Sequence, residues 1–172
     1  MTPNEIEHYL QLLGEELQRR NVTGEIVMAG GAVMLLVIHN RETTKDIDAY
    51  FATNAQEIRD AARVIAQREH LPDDWLNDGF KGFIYTSPPT TLWFEYPGLR
   101  VYYANPDYVL AMKAVAGRPE DIADIQALAA YLHLSQAQDI LAIVTRYVPP
   151  QYIKPHSQYL IQSLFPDQQS EP

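Results

Sequence analysis

The sequence has no cysteine, few basic residues and no long apolar run, and each shortage removes a class of protein. Without cysteine there is no disulfide, no thiolate metal site and no thiol nucleophile. Lys and Arg number 13 against 22 Asp and Glu, a formal net charge of −9 with a sequence pI near 4.9. A chain of that sign lacks the basic stripe that grips nucleic acid regardless of sequence. It leaves room for a small basic site, and it suits polyanionic substrates that arrive with a metal ion, because the metal then supplies the positive charge. The longest uncharged apolar run, Ile26 to Ile38, spans 13 residues, whereas a membrane-spanning helix needs about 20. Met1-Thr2-Pro3-Asn4-Glu5 has no basic stretch of the kind that opens a secretory signal. The expectation is a cytoplasmic protein without membrane attachment. Hydrophobic residues at 47% and charged residues at 20% are ordinary for a globular chain. A chain of 172 residues is enough for one domain with a small helical annex, burying roughly 70% of the surface of its unfolded state.

Periodicity gives the elements. Ile6, Tyr9, Leu10, Leu13 and Leu17 recur at helical spacing, so 4–20 reads as an amphipathic helix. Glu25 to Ala29 reads as a buried strand that breaks at Gly30-Gly31, with a helix from Ala32 to Asn40. Asp46 to Phe51 alternates polar with apolar and reads as a strand. Asn54 is placed to cap a helix that runs to Glu69. Strands are expected at Phe80–Tyr85, Leu92–Tyr96 and Leu99–Tyr103, the last two joined by Pro97-Gly98, a pair suited to a type II turn. After Asn105 the texture is helical, with three helices around Met112, Ile125 and Leu141 and a weaker fourth over Gln151–Phe165. The expected fold class is α+β: a mixed sheet flanked by helices over 1–104, a C-terminal helical segment over 105–166 packed on it, and a flexible tail at 167–172.

The strongest chemical signal is Asp46-x-Asp48. Period two places both carboxylates on one face of a strand. Two carboxylates that close repel each other, and a divalent cation holds both ionised; Mg²⁺ takes carboxylate and phosphate oxygens together. The plain alternative is two solvated aspartates. Gly30-Gly31, between a strand and a helix start, permits close approach of backbone to a phosphate; the alternative there is a packing turn. The linker Arg41-Glu42-Thr43-Thr44-Lys45 sets two cations and two hydroxyls beside the carboxylates. Trp75-Leu76-Asn77-Asp78-Gly79 is either a pocket lining or a turn anchored by Trp75. There is no P-loop and no nucleophile elbow.

Gly30-Gly31 followed by Arg41-Glu42-Thr43-Thr44-Lys45-Asp46-Ile47-Asp48 resembles the opening motif of the DNA polymerase β-like nucleotidyltransferases, and within them the minimal branch that includes AbiEii-type toxins of type IV toxin–antitoxin systems. A second block, Leu110-Ala111-Met112-Lys113-Ala114-Val115-Ala116-Gly117-Arg118-Pro119-Glu120-Asp121-Ile122-Ala123-Asp124, resembles the helical signature of that branch. The likeness covers roughly Val27 to Leu132. It implies a nucleotidyltransferase-like fold and transfer of a nucleoside monophosphate from a nucleoside triphosphate to a hydroxyl acceptor, with Mg²⁺ or Mn²⁺ as cofactor. It implies metal binding by Asp46 and Asp48 and a third carboxylate on a later strand, for which Glu95 is the candidate. Gly30, Gly31, Thr44, Lys45 and Arg118 would hold the nucleotide phosphates. Lys113 would be a phosphate ligand and Asp121 a carboxylate that orients it or Arg118. Read without the likeness, Asp121 is a helix N-terminal acid, Lys113 with Asp124 is a surface pair of small value, and Glu95 is a solvated strand residue. Toxin relatives imply an RNA acceptor, such as a tRNA end, and a cognate antitoxin protein. The alternative is a catalytically inactive relative that keeps the fold as a binding or assembly protein.

Overall fold

The computed structural model describes residues 1–166; the tail expected over 167–172 lies outside the described residues. Two compact units emerge. The first comprises 1–84 and 89–104, and the second comprises 85–88 and the chain from Asn105 onward.

The first unit opens with α1 (Pro3–Arg19). Its start is fixed by a capping box: the Thr2 hydroxyl accepts from the Glu5 amide, and the Glu5 carboxylate accepts from the Thr2 amide at 2.7 Å. The expected stripe is the buried one, with Ile6, Leu10, Leu13 and Leu17 fully excluded from water. Strand β1 (Gly24–Met28) follows, then α2 (Gly30–Val33), which continues as a π-helical turn over Met34–Ile38. Next come β2 (Ile47–Thr53), α3 (Ala55–Glu69), the two-residue β3 (Leu76–Asn77), β4 (Thr90–Tyr96) and β5 (Leu99–Ala104). The five strands form one mixed sheet in the order β3-β2-β1-β5-β4. β1 is central, antiparallel to β2 and parallel to β5. Helices α1 and α3 pack together on one face. Ile47, Ala49 and Phe51 are buried, while Asp48 and Tyr50, which alternate with them, stay half-exposed. The aspartates therefore belong to the face away from α1 and α3.

The Pro97-Gly98 turn takes the expected form, with Gly98 at φ +78. It also makes a close packing contact. A Cβ on Gly98 would lie 2.5 Å from the Gly14 carbonyl oxygen, and one on Gly14 would lie 2.7 Å from the Pro97 carbonyl oxygen. Two backbones meet here, and neither can yield as a side chain would. Gly14→Val is expected to cost about 1–3 kcal/mol through overpacking, more than the roughly 0.5 kcal/mol that helix propensity returns. Calorimetric melting should read a fall of roughly 2–10 °C.

Three local expectations meet a different structure. Residues 80–85 form no strand; Gly79–Phe83 is a 3-10 turn, with Lys81 N–H donating to the Asp78 carbonyl. Gly79 and Gly82 weaken strand preference, and the bonding there is local. The helix expected at 32–40 begins earlier, because Gly30 and Gly31 are its first turn. Asn54 stands at the N-cap of α3 but in the left-handed region, and its amide donates to the Thr23 carbonyl instead of capping.

The second unit carries α4 (Pro106–Ala116), a 3-10 turn at Pro119–Asp121, α5 (Ile122–Tyr131), α6 (Ala137–Tyr147) and α7 (Pro155–Leu164). The fourth helix expected over 151–165 is shorter, because Pro155 disfavours helical backbone at the residue before it. Segment 85–88 is fastened to this unit: the buried Tyr108 donates its hydroxyl to the Thr86 carbonyl at 3.0 Å and stacks edge-on against Tyr147. Among the described residues no helix is long and apolar enough to cross a membrane.

Candidate active site

The first unit builds its polar centre where β1 ends against β2. Ladder bonding continues one step past β1, as the Ala29 N–H donates to the Asp48 carbonyl at 2.9 Å. This sets Gly30 directly over the Asp48 side chain. Gly30 has φ +53, and a Cβ there would lie 2.8 Å from Asp48 Oδ2. Two independent constraints thus favour glycine: the left-handed backbone, and the carboxylate against it. Gly30→Ala is expected to cost about 1–2 kcal/mol for the backbone alone. Displacement of the carboxylate adds to that, so the melting temperature should fall by at least about 2–8 °C in calorimetry. An unchanged melting temperature would refute the close contact.

Gly31 makes the second close approach. A Cβ there would collide with the Thr44 hydroxyl and sit 3.4 Å from an Arg41 guanidinium nitrogen. Thr44 is buried; its hydroxyl donates to the Asp46 carbonyl at 3.2 Å and its N–H to the Met1 carbonyl at 2.9 Å. The Thr44 hydroxyl therefore fixes the backbone that presents Asp46. Lys45 is exposed beside it.

Asp46, one residue ahead of β2, is partly buried. Burial first, and the negative charge of Asp48 second, hold its carboxyl above the usual carboxylate range; Asp74 adds to this, and the Lys45 ammonium works against it. Two neighbouring carboxylates whose charges oppose each other, as the raised Asp46 carboxyl reflects, are groups that a divalent cation can bind.

Asn77 belongs to this centre, and the sequence pointed to it only as one residue of a lining or turn. The parallel pairing of β3 with β2 sets Asn77 against Asp48. Its Nδ2 donates to Asp46 Oδ2 at 3.4 Å, and its Oδ1 accepts from the Gly79 N–H at 3.0 Å. Trp75 is the anchor of that segment, buried and donating its indole N–H to the Ala62 carbonyl at 3.0 Å. The available signal was Asn77-Asp78-Gly79, a pattern suited to an Asx-turn.

Glu95 is not brought to this centre. It lies on β4, and β1 and β5 stand between β4 and β2. In the ladder its row is Glu95–Arg100–Glu25–Thr53, at the far end of β2 from Asp48. Its carboxylate accepts from Arg100 Nε at 3.1 Å, and Arg100 also pairs with Glu25 at 2.6 Å. Period two relates Glu95 only to its own strand, where it shares a face with Trp93, and carries no information about distance across the sheet. Among the described residues no three or more of His, Cys, Asp and Glu come together in a way that could hold a metal.

Lys113, Arg118 and Asp121 belong to the second unit. The Lys113 ammonium near the end of α4 donates to Asp121 Oδ1 at 2.5 Å and pairs with Asp124 Oδ2 at 2.8 Å. Side-chain exposures are 14%, 13% and 5%, so Lys113 and the two acids it meets are largely buried rather than a surface pair. Gly117, at φ +59, ends α4, and its carbonyl is met by His156 Nε2 at 3.2 Å.

A mixed sheet with a central first strand that turns through Gly-Gly over an aspartate of its antiparallel neighbour is a nucleotidyltransferase-like α+β fold. Comparison with known families agrees. Residues 6–142 match the family described as "Nucleotidyltransferase of unknown function (DUF6036)", and the chain belongs to that family. The matched span takes in both the aspartate pair and the Lys113 triad. Neither a curated protein nor a solved structure matches the chain.

Proposed function

We propose that the protein transfers a nucleoside monophosphate from a nucleoside triphosphate to a hydroxyl acceptor, using Mg²⁺ or Mn²⁺ held by Asp46 and Asp48. The observation that carries this reading is the pair of neighbouring carboxylates, with the Asp46 carboxyl raised by burial and by the charge of Asp48, beside the Gly30-Gly31 turn. Two carboxylates suit such a cation, because Mg²⁺ is commonly bound by one or two of them with substrate phosphates and water completing the shell. When bound, the cation would neutralise phosphate charge and ease deprotonation of the attacking hydroxyl. Gly30 and Gly31 let the Asp48 carboxylate and the Thr44 hydroxyl pack against the turn backbone, and the resemblance assigns that turn to the nucleotide phosphates. Thr44 fixes the Asp46 backbone, and Lys45 offers an exposed ammonium next to the pair. Arg118 is a further phosphate-binding candidate. Asp121 orients Lys113, as the resemblance implies, but shares it with Asp124, so the ammonium must give up a carboxylate to serve a phosphate.

The likeness of Arg41 to Asp48 to the AbiEii-type branch supports a toxin with a cognate antitoxin and an RNA acceptor. A net charge of −9 favours a small footprint, such as a tRNA end, over a long RNA contact. The test is titration calorimetry with each of the four ribonucleoside triphosphates, with and without Mg²⁺, on the wild type and on Asp46→Ala/Asp48→Ala, followed by a labelled-nucleotide transfer assay on total RNA. The expected result is Mg²⁺-dependent binding of at least one triphosphate, lost in the double variant. No binding of any triphosphate would turn the reading to an inactive binding or assembly protein.

A further inference from the structure

We infer that Asn77 is a positioning residue for Asp46, orienting the carboxylate for a divalent cation without cancelling its charge; this rests on the metal-dependent reading above. The placement is non-local. A two-residue parallel strand brings Asn77 alongside Asp48, and the ladder is extended by the Ile47 N–H donating to the Trp75 carbonyl at 2.8 Å. The orientation of the amide follows from its neighbours. The Gly79 N–H requires an acceptor and takes Oδ1 at 3.0 Å. Nδ2 is thereby turned to the other side, where it donates to Asp46 Oδ2 at 3.4 Å and to the Asp74 carbonyl at 3.5 Å. Both ends of the amide are used, so it cannot flip without losing all three contacts.

The chemistry of the donor matters. A Lys or Arg at this position would pair with Asp46 and compete with any cation for it. A neutral amide holds one carboxylate oxygen in place and leaves the negative charge, with Oδ1, for the metal. Partners of this kind fix ligand geometry, and their loss commonly costs about 10–100-fold in metal affinity.

The experiment compares the wild type, Asn77→Ala and Asn77→Ser in two measurements. One is Mn²⁺ binding, followed by the electron paramagnetic resonance signal of the free ion. The other is the melting temperature in EDTA. A serine hydroxyl can still accept from the Gly79 N–H as a short turn residue, but it is too short to reach Asp46. The expected result is Mn²⁺ binding weakened about tenfold or more in both variants, with Asn77→Ser melting within about 2 °C of the wild type without metal. Mn²⁺ binding by Asn77→Ser at wild-type strength would overturn the role of Asn77 and leave the metal reading standing. An Asn77→Ser melting temperature that falls as far as that of Asn77→Ala would make the residue merely structural and would also overturn it. A wild type that binds no Mn²⁺ would overturn the metal reading itself and this inference with it.

Discussion

Asp48→Asn is expected to lower the rate of nucleotide transfer by at least about a thousandfold while leaving the protein folded. On the proposed metal-dependent reading, loss of one of two carboxylate ligands removes several kcal/mol of charge stabilisation in the transition state, and each 1.36 kcal/mol is a factor of ten. Folding does not depend on that carboxylate, because the bond that docks Gly30 on β2 is made by the Asp48 carbonyl through Ala29. The companion variant Asp46→Asn tests the electrostatics directly. Burial, then the charge of Asp48, raises the Asp46 pKa above its ordinary value of 3.8. An acid whose folded pKa is raised binds more protons in the folded state, so stability declines as pH rises through the window between the two pKa values. Above the folded pKa the cost is complete, and below 3.8 it disappears. Asp46→Asn should therefore melt at a higher temperature than the metal-free wild type at pH 7, and the advantage should shrink on acidification. Added Mg²⁺ should narrow the difference at pH 7 by stabilising only the wild type. A melting temperature for Asp46→Asn below that of the wild type at pH 7 would show that the carboxylate is held for the fold and not against it.

The second large effect is at Lys113. Lys113→Ala is expected to destabilise the helical unit by about 3–5 kcal/mol, because it takes away the cation that pairs with two largely buried carboxylates. That is on the order of 10 °C in melting temperature. Lys113→Met keeps much of the volume and should recover little, since the loss is electrostatic. Lys113→Met combined with Asp121→Asn removes the Lys113–Asp121 pair as a whole and should recover part of it, because a buried ion pair replaced as a whole is often near neutral in stability. If Lys113→Met alone melts like the wild type, the ammonium does not hold the two acids, and it is then available for phosphate.

The elements were largely legible in the sequence because their causes are local. The stripe of Ile6, Leu10, Leu13 and Leu17 is buried as its spacing requires, and Pro97-Gly98 makes the turn its two residues prefer. The approach of Gly30 to Asp48 was visible only as an order of motifs, glycines first and aspartates second. What failed was again local: 80–85 has aromatic and β-branched residues enough for a strand, yet Gly82, Gly79 just before the segment and a run of short-range bonds make a 3-10 turn.

Charge sign, a Gly-Gly turn, two aspartates at period two and an α+β order of elements were all determined by the sequence, because each depends on neighbours within a few residues. Only the tertiary structure decided that Asn77 stands at Asp46, that Glu95 is bound to Arg100 on the neighbouring strand with β5 and β1 between it and the aspartates, and that Lys113 lies between two acids. Strand order and helix packing are set by pairings between segments distant in sequence. The free energy of such pairings resides in contacts that no local window contains, so a face can be read from spacing while a distance across the sheet cannot.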